Sequence, residues 1–369
     1  MKIVIAGGGT GGHLFPGVAI AEEFRRRSTE NDVLFIGTKR GIEARVLPQI
    51  GFPLATLEVE GIKGRGIARS MVALAKIPPS LIQSGRIIRG FKPDVVIGVG
   101  GYASGPAVLA ARFMGVSTAI AEQNAIPGET NKILGRFADR IFVSFPETAG
   151  WFRKDRVRVT GNPIRAAIAG APRRERKPGD AMTLLVFGGS QGAHRINLAV
   201  LEALPHLGDL KGRLRIIHQT GKDDLEMVKK GYSDQAEEAD VLPFITDMAA
   251  AYGKADLLVC RAGATSIAEI TASGKAAIFI PFPFAVNDHQ TKNAELLVNR
   301  GAAAMIPERD LTGESLSGII RRLAKDPGKI EEMERNAASL GNARAAADIV
   351  DELLALASRG SRNGARATR

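Results

Sequence analysis

A single cysteine, Cys260, stands in 369 residues, so no disulfide can form within the chain and nothing points to an oxidising compartment. No run of about 20 apolar residues occurs, which argues against a transmembrane helix. The N-terminus passes from Met1-Lys2 straight into a strand-like run and shows no signal-peptide pattern. Aromatics are few (15 Phe, 3 Tyr, 1 Trp) and do not interleave with basic clusters, so a stacking platform for single-stranded nucleic acid has no support. An Asp-x-Asp pair at a strand end is missing too, and Asp223-Asp224 adjoins an expected helix start, where a surface role fits better than a metal. The expectation is a soluble cytoplasmic protein with no metal, no cofactor and no nucleic-acid partner.

What is abundant is positive charge and glycine. The net charge of +11 suits nucleic acid, anionic lipid or a polyanionic substrate. Part of it lies in the final segment Arg359–Arg369, whose composition predicts a disordered tail with four positive charges. The glycines are concentrated in turns. Ile3-Val4-Ile5-Ala6 leads into Gly7-Gly8-Gly9-Thr10-Gly11-Gly12-His13, and 181 positions later Leu184–Phe187 leads into Gly188-Gly189-Ser190-Gln191-Gly192. Each turn follows a buried-strand pattern and opens a helical one, an arrangement that brings free N–H groups and a helix dipole to a phosphate. A third segment of this kind, Gly98–Pro106, follows Asp94–Ile97.

Strand-like runs alternate with helical stretches along the whole chain. They are expected at 2–6, 32–37, 54–59, 94–100, 117–122, 140–144 and 156–161. After a charged, proline-flanked connector at 170–180 they resume at 182–187, 214–219, 241–244, 256–260, 276–281 and 302–306. This predicts an α/β protein of two Rossmann-like domains with parallel sheets facing across a cleft. The expected bounds are 1–165, 166–340, a final helix in 341–358 and the tail 359–369. A nicotinamide cofactor would call for an acid at the end of the second strand, but that strand ends Gly37-Thr38-Lys39-Arg40 and the next acid is Glu43. Lys39 and Arg40 leave a 2′-phosphate formally open.

Taken in order, GGGTGGHLFPGVAIAEEF, GVGGYASGP, EQNAIPGETNK, GNPIR, FGGSQGAHRIN, FITDMAAAY, CRAGATSIAEI and PFPFAVNDHQTKNA closely resemble the MurG family from Met1 to about Ala357. These are the membrane-associated N-acetylglucosaminyltransferases of bacterial peptidoglycan synthesis. The resemblance implies a GT-B fold whose C-terminal helix packs back on the first domain. It also implies an inverting transfer of N-acetylglucosamine from UDP-GlcNAc to the muramoyl sugar of undecaprenyl-pyrophosphoryl-MurNAc-pentapeptide (lipid I to lipid II), with no bound metal needed. Partners implied are UDP-GlcNAc, lipid I, an anionic membrane surface and other cell-wall synthesis and division proteins. The rival readings are another GT-B lipid glycosyltransferase and a sugar-nucleotide-binding regulator.

The resemblance also assigns residues. His13 is expected as the general base, with Glu122 its rival. Thr10, Gly11, Gly12, Asn124, Arg165, Ser190, Ile245, Ala264, Thr265, Ser266, Ile267, Ala268, Glu269 and Gln290 are expected at UDP-GlcNAc. In that set Ile245 offers backbone groups to uracil, Glu269 accepts from the ribose hydroxyls and Gln290 reads the sugar. Gly100, Gly101, Tyr102 and Ser104 are expected at the acceptor pyrophosphate, which the first glycine turn also faces. His289 has no assigned role. For the membrane, Met71–Ile82 lies among Lys63, Arg65, Arg69, Arg86, Arg89 and Lys92, a pattern that suits anionic headgroups. It equally suits a core helix with a basic solvated face.

Overall fold

The computed structural model describes residues 1–59, 77–169, 179–189, 191–235 and 238–367. Ser190, the connector residues 170–178 and most of the basic apolar stretch (60–76, with Lys63, Arg65, Arg69 and Met71–Lys76) lie outside the described residues. The chain divides into two compact units, Met1–Arg165 with Ala343–Arg369, and Ala166–Asn342.

In the first unit β1 (Lys2–Ala6), β2 (Asp32–Thr38), β3 (Leu54–Leu57), β4 (Val95–Gly98), β5 (Ser117–Glu122), β6 (Arg140–Val143) and β7 (Val157–Val159) form one parallel sheet in the order β3-β2-β1-β4-β5-β6-β7. In the second unit β8 (Met182–Phe187), β9 (Leu214–Gln219), β10 (Ala239–Leu242), β11 (Leu257–Cys260), β12 (Ala276–Phe279) and β13 (Ala303–Met305) form another, ordered β10-β9-β8-β11-β12-β13. Both are doubly wound. The order reverses between β1 and β4 in one sheet and between β8 and β11 in the other, and ligands of such sheets bind at the carboxyl ends there.

The strands read as nearly continuous apolar runs because helices cover both faces. Ile3 and Ile5 point to one side, packing with Val18 and Phe24 of the first helix (Gly11–Arg27). Val4 and Ala6 point to the other, packing with Ile88 and Val108. In the second unit Ile196 and Val200 of the helix His194–Ala203 pack on Leu184 and Val186, and Leu204 joins them from the 3-10 turn that follows.

The last helix spans Ala345–Ala367 and belongs to the first unit. Ile349, Val350, Leu353 and Leu356 complete the core built on Ile3, Ile5 and Phe24. Glu352 joins the helix to the sheet through Arg140 (3.0 Å) and Arg158 (3.2 Å). Burial alone would raise its carboxyl, but the bonds from Arg140 and Arg158 outweigh that and hold it below the usual carboxylate range. The helix is continuous through positions 359–367, which the sequence reading assigned to the basic tail. One strand differs in place, β10 starting two residues earlier than its apolar pattern suggested. It is an edge strand of alternately half-buried and exposed residues, so hydrophobicity marks its ends poorly.

Leu353→Ala should cost the first unit about 2–5 kcal/mol, as deletion of a fully buried leucine side chain does. Denaturant titration followed through Trp151, which lies in that unit, measures it; a loss below about 1 kcal/mol would show that the helix is no part of the core.

Candidate active site

The switch point of the first sheet is built from two glycine segments pressed together. Gly7 N–H donates to Ile36 O (2.9 Å) and Gly8 N–H to Gly100 O (3.2 Å). Gly101, at φ +83°, comes so close that a Cβ there would overlap the carbonyl oxygen of Gly8. The first helix starts at Gly11, and two residues on, the His13 ring lies against Gly100, where an added Cβ would stand 2.6 Å from His13 Cδ2. Its Nδ1 is 3.3 Å from Thr10 Oγ1. The sequence expected the first and third glycine segments at the same acceptor pyrophosphate; the sheet order makes them one structure, with His13 at their junction.

Glu122 ends β5 and is 3% exposed. One oxygen accepts from Asn124 N (2.9 Å) and Asn124 Nδ2 (3.3 Å), the other from Gly128 N (3.0 Å) and Asn131 Nδ2 (2.9 Å). Four donors match the lone-pair sites of a carboxylate, so Glu122 is engaged in bracing the 123–128 loop. Gln123 ties that loop to Val99 O (3.1 Å). Tyr102 is exposed at the same end of the sheet. Ser104 is fully buried, its hydroxyl packed against Gly98. The guanidinium of Arg165, which ends the first segment of this unit, stacks over Phe15 at 5.2 Å. Burial raises the carboxyl of nearby Glu22, and the charge of Arg165 partly opposes the rise.

The second unit repeats the plan with different polar parts. Gly192, at φ +81°, meets the strand β9 exit so closely that a Cβ would overlap Thr220 O, and Gly221, at φ +82°, meets Gln191 O in the same way. Gln219 bridges this turn to the next, donating to Gly189 O (2.8 Å) and accepting from Ile245 N (2.8 Å). The Ile245 N–H is therefore occupied by Gln219, which narrows the backbone groups expected to face uracil. Asn197 donates to Thr220 O (2.9 Å) and to Asp224 (2.7 Å), so its oxygen accepts from His218 Nε2 (3.0 Å). His218 Nδ1 is then left to accept from Tyr232 (2.9 Å). Buried and neutral, His218 has its pKa lowered to about 4 by desolvation, against a smaller upward pull from Asp224. Asp224 also contacts His194 Nδ1 (2.9 Å), so this half of the Asp223-Asp224 pair is a structural link.

After β11 the helix Ala264–Ser273 begins at the switch point. Thr265, Ser266 and Ala268 are half-buried there. Ala264 and Ile267 are buried. Glu269, 6% exposed, accepts from the Tyr252 hydroxyl at 3.1 Å. Its negative charge adds to burial in pushing the Cys260 thiol upward, so that thiol is inert. Gln290 accepts from Phe282 N (3.0 Å). Just before it Asn287 and Asp288 stand at φ +55° and +52°, consecutive left-handed residues that Asn and Asp tolerate better than most. Among the described residues no group of three or more His, Cys, Asp or Glu is placed to hold a metal ion.

Residues 3–143 match the glycosyltransferase family 28 N-terminal domain, and residues 183–353 the glycosyltransferase family 28 C-terminal domain. Over 96% of its length the chain is 63% identical to the UDP-N-acetylglucosamine–N-acetylmuramyl-(pentapeptide) pyrophosphoryl-undecaprenol N-acetylglucosamine transferase of Syntrophus aciditrophicus, covering 99% of that protein. The chain belongs to the MurG transferases of glycosyltransferase family 28. The same enzyme of Myxococcus xanthus is 52% identical over 95% of the chain and 92% of its own length. MurG of Acinetobacter baumannii superposes with a TM-score of 0.78 at 32% identity, over 96% of this chain and 99% of that one. A UDP-N-acetylglucosamine 2-epimerase shares the fold alone, at TM-score 0.66 and 15% identity over 96% of both chains.

The fold of this MurG chain is thus GT-B, as its motifs implied. Within it Glu43, Gln219, Asn197, His218 and Asp224 are framework residues that sequence reading missed, since each works through partners distant in the chain. The His218 network gives a pH signature. Its pKa is lower folded than unfolded, so its contribution is intact above about pH 6.5 and is lost as pH falls toward 4. Between pH 6.5 and 5, wild type should lose about 2 kcal/mol more stability than His218→Gln in urea titrations followed by circular dichroism. Equal losses would show that His218 takes up its proton while folded.

Proposed function

We propose that this chain transfers N-acetylglucosamine from UDP-GlcNAc to lipid I, forming the β-1,4 linkage of lipid II with inversion. Support comes from the near full-length identity to transferases of that name and from the placement of His13 where both glycine segments of the first unit meet. Neutral imidazole is a suitable base near pH 7. With Nδ1 donating to Thr10 Oγ1, the ring lone pair is on Nε2. That nitrogen takes the proton of the muramoyl hydroxyl as its oxygen attacks C1 of the donor sugar. The C1–oxygen bond to UDP breaks, and UDP leaves with the electron pair. Glu122, whose lone pairs are engaged, braces the loop that carries Asn124.

On this reading the donor diphosphate meets the Gly188–Gly192 turn, with Ser190, and the ends of the helices His194–Ala203 and Ala264–Ser273, whose N-termini favour anions. Glu269 takes the ribose hydroxyls, Gln290 the sugar, and Thr265, Ser266 and Ala268 the space between. The acceptor pyrophosphate meets Gly100, Gly101 and Tyr102. The enzyme works at the cytoplasmic face of the membrane as a peripheral protein; among the described residues no helix is long and apolar enough to cross a membrane. Exposed Ile82, with Arg86 and Arg89 on the same helix, fits a headgroup surface.

Transfer of labelled N-acetylglucosamine from its UDP form to a lipid I analogue tests the activity; UDP binding without transfer would leave a sugar-nucleotide-binding regulator instead. His13→Ala should lower kcat by about 10²–10⁴-fold with UDP affinity kept, whereas an unchanged kcat would remove His13 from the chemistry. Charge reversal at Arg65, Arg69 and Lys76 should abolish sedimentation with anionic vesicles, and unchanged sedimentation would overturn the membrane assignment.

A further inference from the structure

Glu43 is fully buried, and among the described residues no cation pairs with it. A carboxylate is rarely hidden in this way unless hydrogen bonds replace its water. Three do. Oε2 accepts from Gly9 N–H at 2.7 Å, and Oε1 accepts from Thr38 N–H and Thr38 Oγ1, both at 2.8 Å. Thr38 Oγ1 in turn accepts from Gly41 N–H at 3.1 Å.

The surrounding sequence makes room for that one carboxylate. A Cβ on Gly8 would stand 2.5 Å from Glu43 Cδ, a Cβ on Gly37 2.6 Å from its Cγ, and a Cβ on Gly41 would overlap both of its oxygens. Three glycines, one in the first turn, one near the end of β2 and one just after it, thus leave space for one acid. Its effect falls on a particular part of the first glycine turn. The inner limb is fixed by backbone bonds from Gly7 to Ile36 and from Gly8 to Gly100. The outer limb is Gly9, at φ +85°, where nothing lies within 4 Å of a would-be Cβ. Glu43 grips it there. One residue later Thr10 precedes the first helix and accepts from His13 N and Leu14 N through its carbonyl, and its hydroxyl contacts the His13 ring.

We propose that Glu43 is a positioning residue for the transfer reaction: a buried carboxylate that fixes the outer limb of the Gly7–Thr10 turn and thereby the place of Thr10 and His13. The inference rests on the function proposed above. The carboxylate takes the Gly9 N–H for itself, so that N–H is a structural donor, and the substrate meets the turn from the His13 side.

Glu43→Gln keeps the size but turns an amide donor toward one of the N–H groups. Its kcat should fall about 10- to 100-fold, the scale of a slightly misplaced catalytic group, with the Kd for UDP within about twofold of wild type. Amide exchange of the 6–14 segment should quicken at least about tenfold with exchange of the 187–195 segment unchanged, as expected for local opening. Thr38→Val, a milder change, should move both readouts in the same direction, and Thr38→Ser should restore them. A kcat and loop exchange within twofold of wild type in both Glu43→Gln and Thr38→Val would overturn the proposal. So would a loss of UDP affinity in step with kcat, which marks general damage. A wild-type enzyme that transfers nothing would refute the function instead, and the exchange measurements would still decide whether Glu43 holds the turn.

Discussion

Backbone meets backbone at the carboxyl end of each sheet with no space for a side chain between. Gly8 and Gly101 do this in the first unit, and Gly192 and Gly221 against the β9 exit in the second. Everything proposed for the site depends on this closeness. It places two strand-to-helix turns side by side at the point where strand order reverses, and it aims the starts of two helices at the same end of the sheet. Alanine at any of these positions would push the turns apart, whatever it did for chain entropy.

Closeness alone does not give a turn one conformation, because glycine is permissive. Each unit therefore adds polar brackets beneath its glycines. Glu43, Gln123 and Glu122 serve the first unit; Gln219 and the Asn197–His218–Asp224 chain serve the second. Gln219 pairs with main-chain groups alone and Glu43 with two main-chain N–H groups and one hydroxyl, whereas Asn197, His218 and Asp224 bond mainly to one another and to Tyr232 and His194. The brackets share no residue pattern between the units. The doubling is of topology, and each copy found its own means of stiffening.

The strands and glycine turns were legible in the sequence because short apolar runs that end in glycine have few other readings. The direct contact between the first and third turns was not, since strand order is set by pairing across about ninety residues. A contiguous motif at a helix start holds both half-buried residues, here Thr265, Ser266 and Ala268, and buried ones, here Ala264 and Ile267, and the sequence alone does not separate them. Glu43 was noticed only as an acid too late to serve a dinucleotide. Its task needs Gly8, thirty-five residues earlier, and Gly37 and Gly41 nearby, and no local pattern announces that combination.

The last helix gives the first unit its completing layer from the far end of the chain, with the whole second unit made in between. During synthesis, therefore, the first unit emerges early but stays without the cover for Ile3, Ile5 and Phe24 until the final segment leaves the ribosome. The second unit, continuous in sequence, can close while the first still waits. The unit that is continuous in sequence can therefore be complete before the unit whose core the last helix closes. A nascent chain halted before position 345 would carry an exposed apolar face, a surface of the kind that chaperones recognise and that aggregates otherwise.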